Sequence, residues 1–381
     1  MDKMLTCFAY LSFVFFVIGP LGKLPLEIVG VNIYLADLAI GTLGLIWLIK
    51  YKLAYKLLKS DKICRAFILF VFLAFLSWIF SPVALSAGER IISFMYWLRL
   101  VAYFSLYITF RYLLKSNLIK HGNIVRYLIF SGLILALVGW MQYFLYPDLR
   151  NLSYLGWDPH YKRIFATFFD PNYFGLLMVI TLILLISAFR VKIIYFLFVI
   201  FIFLTLLFTY SRSSFLALFI SLMVFLAARK KYKFIPVILV VLAVSLMLLP
   251  RNLGGEGVKL ERLFSVEQRI NNWKEALFFG QRYPLLGVGF NTLRYARREY
   301  GFIDASSQDS HAAAGVDNSF LFVLATMGVA GLASYIFMLS RFFRQAKFIG
   351  KIILIAVVIH SLFLNSLFYP WVMYLLWIIL A

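Results

Sequence analysis

The chain has 381 residues, of which 64% are hydrophobic and only 14% are charged. Soluble domains contain roughly 45–50% apolar and about 25% charged residues, so the composition excludes an ordinary soluble domain and favours a membrane protein. The formal net charge of +21 raises nucleic acid binding as an alternative. We expect no nucleic acid partner, because the basic residues are divided among short loops and do not gather on one exposed face.

Apolar runs near the length that spans a bilayer, about 20 residues, recur along almost the whole sequence. Twelve predicted transmembrane helices lie near residues 4–20, 28–49, 65–81, 91–113, 127–146, 169–189, 192–209, 213–228, 234–250, 317–340, 352–367 and 370–381. The first run has no small-residue cleavage pattern and is predicted to be a retained helix. The expected fold is therefore an all-α polytopic membrane protein, with residues 1–381 as a single membrane domain.

Basic residues are distributed unequally between the two sets of predicted loops. One set contains twenty Lys and Arg residues, whereas the short loops of the other set contain six. Cytoplasmic loops carry the excess of basic residues in membrane proteins. Both termini are therefore predicted to be cytoplasmic, and most of the net charge is a signal of topology.

One long hydrophilic segment, residues 251–316, separates the ninth and tenth predicted spans and is assigned to the outer side. Its nine basic and seven acidic residues nearly balance, which favours a folded subdomain over a polybasic tail. Ser265 and Gln268 have the spacing of a capping box, which predicts a helix start. Ile270, Trp273 and Leu277 then recur at helical spacing, and we expect this helix to lie against the membrane surface.

Two polar clusters lie at the outer ends of predicted spans. In the first, Arg163 precedes Asp170 and Pro171, a pair typical of a capped helix start. In the second, Arg212 follows Tyr210 in a hairpin between two spans. An arginine near hydrocarbon is costly unless it has a partner, so this residue favours a functional interpretation.

Two further clusters belong to the long outer segment. Arg269 precedes the glycine-rich run 284–289, which is not interpreted as a phosphate loop because no Gly-Lys-Ser/Thr follows it. His311 and the pair Asp317-Asn318 come just before the next span. A guanidinium group binds two phosphate oxygens at once, and imidazole accepts a proton near neutral pH.

Arginines from several outer elements together with one histidine predict a site for an anionic group beside a base. A lipid diphosphate has this chemistry and carries its own leaving group, so no nucleotide, metal or other cofactor is expected. Two buried polar residues within predicted spans, Asp37 and Arg99, are expected to pair inside the bundle or to have a function of their own.

The ordered motifs resemble the O-antigen ligase and O-antigen polymerase superfamily, mainly between Arg163 and Phe337. The matching residues are Arg163, Phe169, Pro171, Asn172 and Gly175; Tyr210-Ser211-Arg212-Ser213; Arg269 and Trp273 with Pro284-Leu285-Leu286-Gly287-Val288-Gly289; and Asn318-Ser319-Phe320-Leu321 with Gly328-Val329-Ala330-Gly331. The resemblance implies a glycosyltransferase of the bacterial inner membrane. It would move an oligosaccharide from undecaprenyl diphosphate to an acceptor hydroxyl, on a glycan or a lipid core, at the extracytoplasmic face.

The resemblance also implies roles for individual residues. The candidate catalytic residues are His311, Arg212 and Arg269. The candidate substrate-binding residues are Arg163, Asn172, Tyr210, Arg282, Asp317 and Asn318. The family often has His directly before the Asn-Ser pair, whereas this chain has Asp317 there and His311 six residues earlier, so both are candidates for the base.

Other classes of membrane protein are alternatives. A secondary transporter or flippase commonly has about twelve spans with both ends inside, but transporters tend to show paired repeats and interrupted helices at matching positions, which this sequence lacks. An intramembrane serine protease is disfavoured because there is no Gly-x-Ser-x-Gly elbow. Within the favoured class, ligase and polymerase stay open.

Overall fold

The computed structural model describes residues 2–24, 31–59, 61–155, 157–188, 192–251, 258–260, 264–304 and 311–381, except for the side chains of 153–155, 264–265 and 311–312. Over these residues the chain is helical and contains no β-strand. Its α-helices are α1 Asp2–Ile18, α2 Leu35–Ile49, α3 Tyr51–Leu58, α4 Lys62–Ile79, α5 Ala87–Lys115, α6 His121–Leu145, α7 Pro171–Ser187, α8 Ile193–Leu207, α9 Arg212–Ala228, α10 Ile235–Leu248, α11 Phe264–Arg282, α12 Leu293–Glu299, α13 His311–Ala314, α14 Ser319–Gln345, α15 Phe348–Ser361 and α16 Pro370–Leu380.

Each of the twelve predicted apolar segments coincides with a helix in the described residues. Five are long and apolar enough to cross a membrane: α1 extended to Gly22, α4, α5, α6 and α14. Helices α2 and α3 together would form a sixth, although they are bent by 92°. The apolar helices α7, α8, α9, α10, α15 and α16 are shorter. The all-helical multi-pass class is thus confirmed, and the count of twelve spans stays a prediction.

Helix α7 forms the centre of the bundle. Every side chain position from Phe174 to Leu185 is buried, as expected for a helix that is apolar on all sides. Helices α6, α8, α9 and α15 pack around it. By contrast, none of the described side chains of α10 is buried, which places α10 at the periphery.

Helix α14 is interrupted at Gly328, whose φ of 64° lies in the left-handed region. The interruption pairs with the glycine-rich segment 284–289 through backbone hydrogen bonds. These run from Val288 N to Ala325 O at 2.9 Å, from Gly289 N to Thr326 O at 3.0 Å, from Val329 N to Pro284 O at 2.7 Å and from Ala330 N to Leu285 O at 3.3 Å. The segment therefore satisfies the backbone groups that a broken membrane helix must not leave exposed to lipid.

Helix α4 completes this pairing. Ser77 Oγ lies 2.8 Å from Leu286 O and 2.6 Å from Thr326 O, and Ser81 Oγ donates to Val288 O at 2.6 Å. The glycines of the motif are thus used for the close approach of two backbones.

The two buried polar residues of the first spans pair with each other. Arg99 Nη2 lies 2.8 Å from Asp37 Oδ2, and Tyr103 Oη donates to Asp37 Oδ1 at 3.1 Å. Arg99 also donates to the carbonyl of Asn32. The expectation that Asp37 and Arg99 pair inside the bundle is confirmed.

Helix α11 differs in detail from its prediction. It begins at Phe264, one residue before Ser265, so Ser265 lies in the first turn and is not the cap; its side chain is outside the described part. Ile270 and Leu277 are 44% and 42% exposed, whereas Ala276 and Phe279 are fully buried. The buried face is therefore offset from the predicted one, because α14 packs against α11. Contact with a membrane surface stays a prediction.

Candidate active site

Arg163 is buried and forms hydrogen bonds to residues at the start of α7 and just before α9. Its side chain is 2% exposed. Its Nε donates to Thr209 O at 2.8 Å and its Nη2 to Asn172 Oδ1 at 3.1 Å. Asp170 caps α7 by accepting hydrogen bonds from the next backbone amides, with Pro171 in the first turn as predicted. Arg163 and Asn172 thus hold the start of α7 against the turn before α9.

The hairpin that carries Arg212 is fixed from both sides. Tyr210 is fully buried with φ of 51°, and its hydroxyl donates to Pro250 O at 2.7 Å. Ser211 caps α9 by accepting from Ser214 N at 3.4 Å. Arg212, the first residue of α9, donates from Nη1 to Leu260 O at 3.1 Å. Its side chain therefore extends towards Leu260, in the long hydrophilic segment.

Arg269 places α11 next to Asp317 and near Arg212. Its Nε lies 3.8 Å from Asp317 Oδ2, and its side chain is 19% exposed. Its positive charge acts on Arg212, on Tyr173 at the start of α7 and on His360 near the end of α15. Arg212 and Arg269 thus lie close enough for their charges to repel each other.

Asp317 is positioned by its backbone. Its N–H donates to Asn272 Oδ1 at 2.8 Å, and its carbonyl accepts from Trp273 Nε1 at 3.0 Å, while its side chain is 44% exposed. It lies two residues before α14 begins. Although the side chain is partly exposed, the surrounding protein removes enough water from the Asp317 carboxyl to raise its pKa, and the guanidinium of Arg269 opposes this rise. Asn318 is mainly structural: its Oδ1 caps α14 and its Nδ2 donates to Leu362 O at 3.1 Å.

Arg297 was missed by the sequence analysis. It is 2% exposed, its Nε lies 2.9 Å from Glu275 Oε2, and its Nη1 donates to Ala313 O at 2.8 Å and Gly315 O at 2.9 Å. Burial lowers the pKa of Arg297, and Glu275 opposes this shift. Arg297 therefore fixes the segment between His311 and Asp317 against α11.

Two predicted site residues are not part of this cluster as described. The side chain of His311 lies outside the described residues, although its backbone begins α13. Arg282 lies at the last residue of α11, thirteen positions from Arg269, which is about 20 Å along a helix. It is exposed and contacts Tyr283 and Tyr300. The structure thus brings Arg212, Arg269 and Asp317 together and leaves Arg282 apart.

His360 lies among buried hydroxyl groups next to the first turn of α9. It is fully buried, and its Nε2 lies 3.1 Å from Ser213 Oγ while its Nδ1 lies 2.6 Å from Ser366 Oγ. The rings of Tyr173 and Tyr369 stack on each other with their centroids 3.9 Å apart, and the centroid of the Tyr173 ring lies 6.4 Å from that of His360. The sequence did not predict these contacts of His360, because Ser213 lies on α9 and Ser366 lies after α15.

These features define a multi-pass helical membrane protein in which arginines and one carboxylate gather where several helices begin or end. A family model described as O-antigen ligase matches residues 196–336, from α8 into α14. The match includes Arg212, Arg269 and Asp317 and excludes Arg163, and it confirms the resemblance to the O-antigen ligase and polymerase superfamily. No curated protein matches the chain.

Proposed function

We propose that the chain is a membrane glycosyltransferase that moves an oligosaccharide from undecaprenyl diphosphate to an acceptor hydroxyl at the extracytoplasmic face. The observation that carries this proposal is that Arg212, at the start of α9, and Arg269, on α11 beside Asp317, lie near enough for their positive charges to act on each other. An anion held by both guanidinium groups would offset this interaction between like charges. A diphosphate suits the pair, because guanidinium groups bind phosphate oxygens in a bidentate geometry.

The reaction needs little beyond these groups. The acceptor oxygen forms a bond to the anomeric carbon of the donor, the bond from that carbon to the diphosphate oxygen breaks, and the lipid diphosphate leaves with the electron pair. Arg212 and Arg269 stabilise the negative charge that develops on the leaving group. The acceptor proton passes to a base of the outer segment. The proposed reaction uses no metal ion and no cofactor.

The base is proposed to be His311, with Asp317 as the alternative. Arg297 supports both assignments, because it holds the carbonyls of Ala313 and Gly315 between them. We expect His311→Ala to slow transfer by about 100-fold or more, the usual contribution of a general base, and Asp317→Asn to slow it less. Initial rates of the two variants across pH measure this difference. The opposite order would assign the proton transfer to Asp317.

The experiment that tests the function is transfer by the purified chain in nanodiscs, supplied with an undecaprenyl-diphosphate oligosaccharide and a chelator. Products are separated by size. A ladder formed from donor alone indicates a polymerase, and product that requires a second acceptor indicates a ligase. No transfer with any glycan tried would reject the proposal and favour a transporter or flippase. Activity that disappears only with chelator would reject metal independence.

A further inference from the structure

Helix α3 does not continue the direction of the span before it. It leaves α2 at 92°, and its first turn forms at once, because Leu53 N and Ala54 N both donate to Lys50 O, at 2.9 and 3.1 Å. Helix α2 packs along α1 and α5, both of which are long enough to span. A helix perpendicular to them runs in the plane of the membrane, and eight residues reach only about 12 Å.

The two faces of α3 differ in chemistry. Leu53, Ala54, Leu57 and Leu58 are partly buried and pack against the core. The opposite face is exposed and consists of Tyr51, Lys52, Tyr55, Lys56 and Lys59. The apolar residues of α3 are therefore used by the protein itself, and a row of lysines flanked by tyrosines is left on the outside.

The C-terminal end of α3 is held by hydrogen bonds, which limits the orientations that this face can take. Arg65 Nη2 donates to Lys59 O at 3.0 Å. Asp61 caps α4 by accepting from Ile63 N at 2.9 Å, and it also accepts from Tyr107 Oη at 2.6 Å. The buried cap fixes the corner between α3 and α4.

We propose that the exposed face of α3 binds the headgroups of anionic phospholipids in the leaflet where α2 ends and α4 begins. Lysine ammonium groups suit lipid phosphates, basic clusters next to a span attract anionic leaflets, and tyrosine is enriched at the level of the headgroups. The exposed residues Lys50, Lys62 and Arg65 extend the basic surface beyond α3. The positive-inside rule accounts for the number of these charges but not for their alignment with tyrosines on one face. This inference is independent of the proposed glycosyltransferase function.

The test uses the full-length chain in nanodiscs that contain phosphatidylcholine and phosphatidylglycerol, with native mass spectrometry of the lipids retained after release. The variant is Lys52→Gln/Lys56→Gln/Lys59→Gln. The matched control is Lys230→Gln/Lys231→Gln/Lys233→Gln, which removes the same charge from another exposed basic run. We expect the α3 variant to lose most of the enrichment of phosphatidylglycerol and the control to keep it.

Two further measurements distinguish binding of lipid headgroups from misfolding of the variant and from binding of free phosphate. Lys52→Arg/Lys56→Arg/Lys59→Arg keeps the charge and is expected to keep the enrichment, which separates loss of charge from misfolding. Inorganic phosphate is expected to displace no more phosphatidylglycerol than chloride at equal ionic strength. Equal loss in the α3 variant and its control, no loss in either, or specific displacement by phosphate would each overturn the proposal.

Discussion

Arg269→Ala is expected to lower the rate of glycan transfer by about 100-fold to 1,000-fold, the usual effect of removing one preorganised donor to a developing negative charge. The physical reason is that Arg269, on α11, lies near enough to Arg212 at the start of α9 for the two charges to act on each other, so that both would serve one anionic group. Without it, the leaving diphosphate would keep one guanidinium partner of the pair. Arg212→Ala is expected to have a similar effect.

The measurement is the initial rate of transfer in nanodiscs, together with the amount and melting temperature of each purified variant. Arg90→Ala is the matched control, because Arg90 is an exposed arginine at the start of α5 on the same predicted side. Arg269→Lys keeps the charge but loses bidentate geometry and is expected to be intermediate. The double variant should be little worse than either single one, since groups that act as a unit are not additive. Full activity in Arg212→Ala or Arg269→Ala contradicts the diphosphate site.

Gly328→Ala is expected to destabilise the fold by about 2–5 kcal/mol. An added Cβ would lie 2.4 Å from the carbonyl carbon and oxygen of Leu285, and overpacking of this kind costs about 1–3 kcal/mol. A side chain in the left-handed region adds about 1–2 kcal/mol. Gly287→Ala is expected to destabilise the fold to a similar extent, because an added Cβ there would lie 2.4 Å from the carbonyl carbon of Thr326.

This effect is measured as a fall in the melting temperature in detergent, where unfolding is monitored by the loss of soluble protein on heating. Gly301→Ala is the control, since Gly301 has φ of 71° but nothing within 4 Å of an added Cβ. It isolates the backbone strain from the close approach of the two segments. Equal melting temperatures for Gly301→Ala and Gly328→Ala would contradict the prediction, because they would show that segment 284–289 and α14 can move apart without loss of stability.

Several features of the fold followed from short stretches of sequence. The long apolar runs became helices because a chain in lipid must satisfy its backbone hydrogen bonds within each segment. The start of α7 followed from Asp170 and Pro171, which cap and begin a helix through contacts with their immediate neighbours. Arg212 was a candidate because a cation beside hydrocarbon is unusual wherever the chain folds, whereas Arg269 was a candidate through its place in the ordered motifs.

Other features were decided only by contacts between distant residues. Arg282 and Arg297 lie in the same hydrophilic segment, yet one is exposed and the other is buried against Glu275. Their local sequences do not predict this difference, because burial depends on which element packs above each of them.

The same division applies to the rest of the site and to the membrane-facing surface. The sequence by itself determined an all-helical membrane protein with arginines next to the ends of its predicted spans, since composition and capping act over a few residues. Tertiary structure alone decided the pairing of Gly328 with the segment 284–289 and the bend of α3. It also decided the contact of His360 with Ser213, because each of these depends on partners that meet only after the helices have packed.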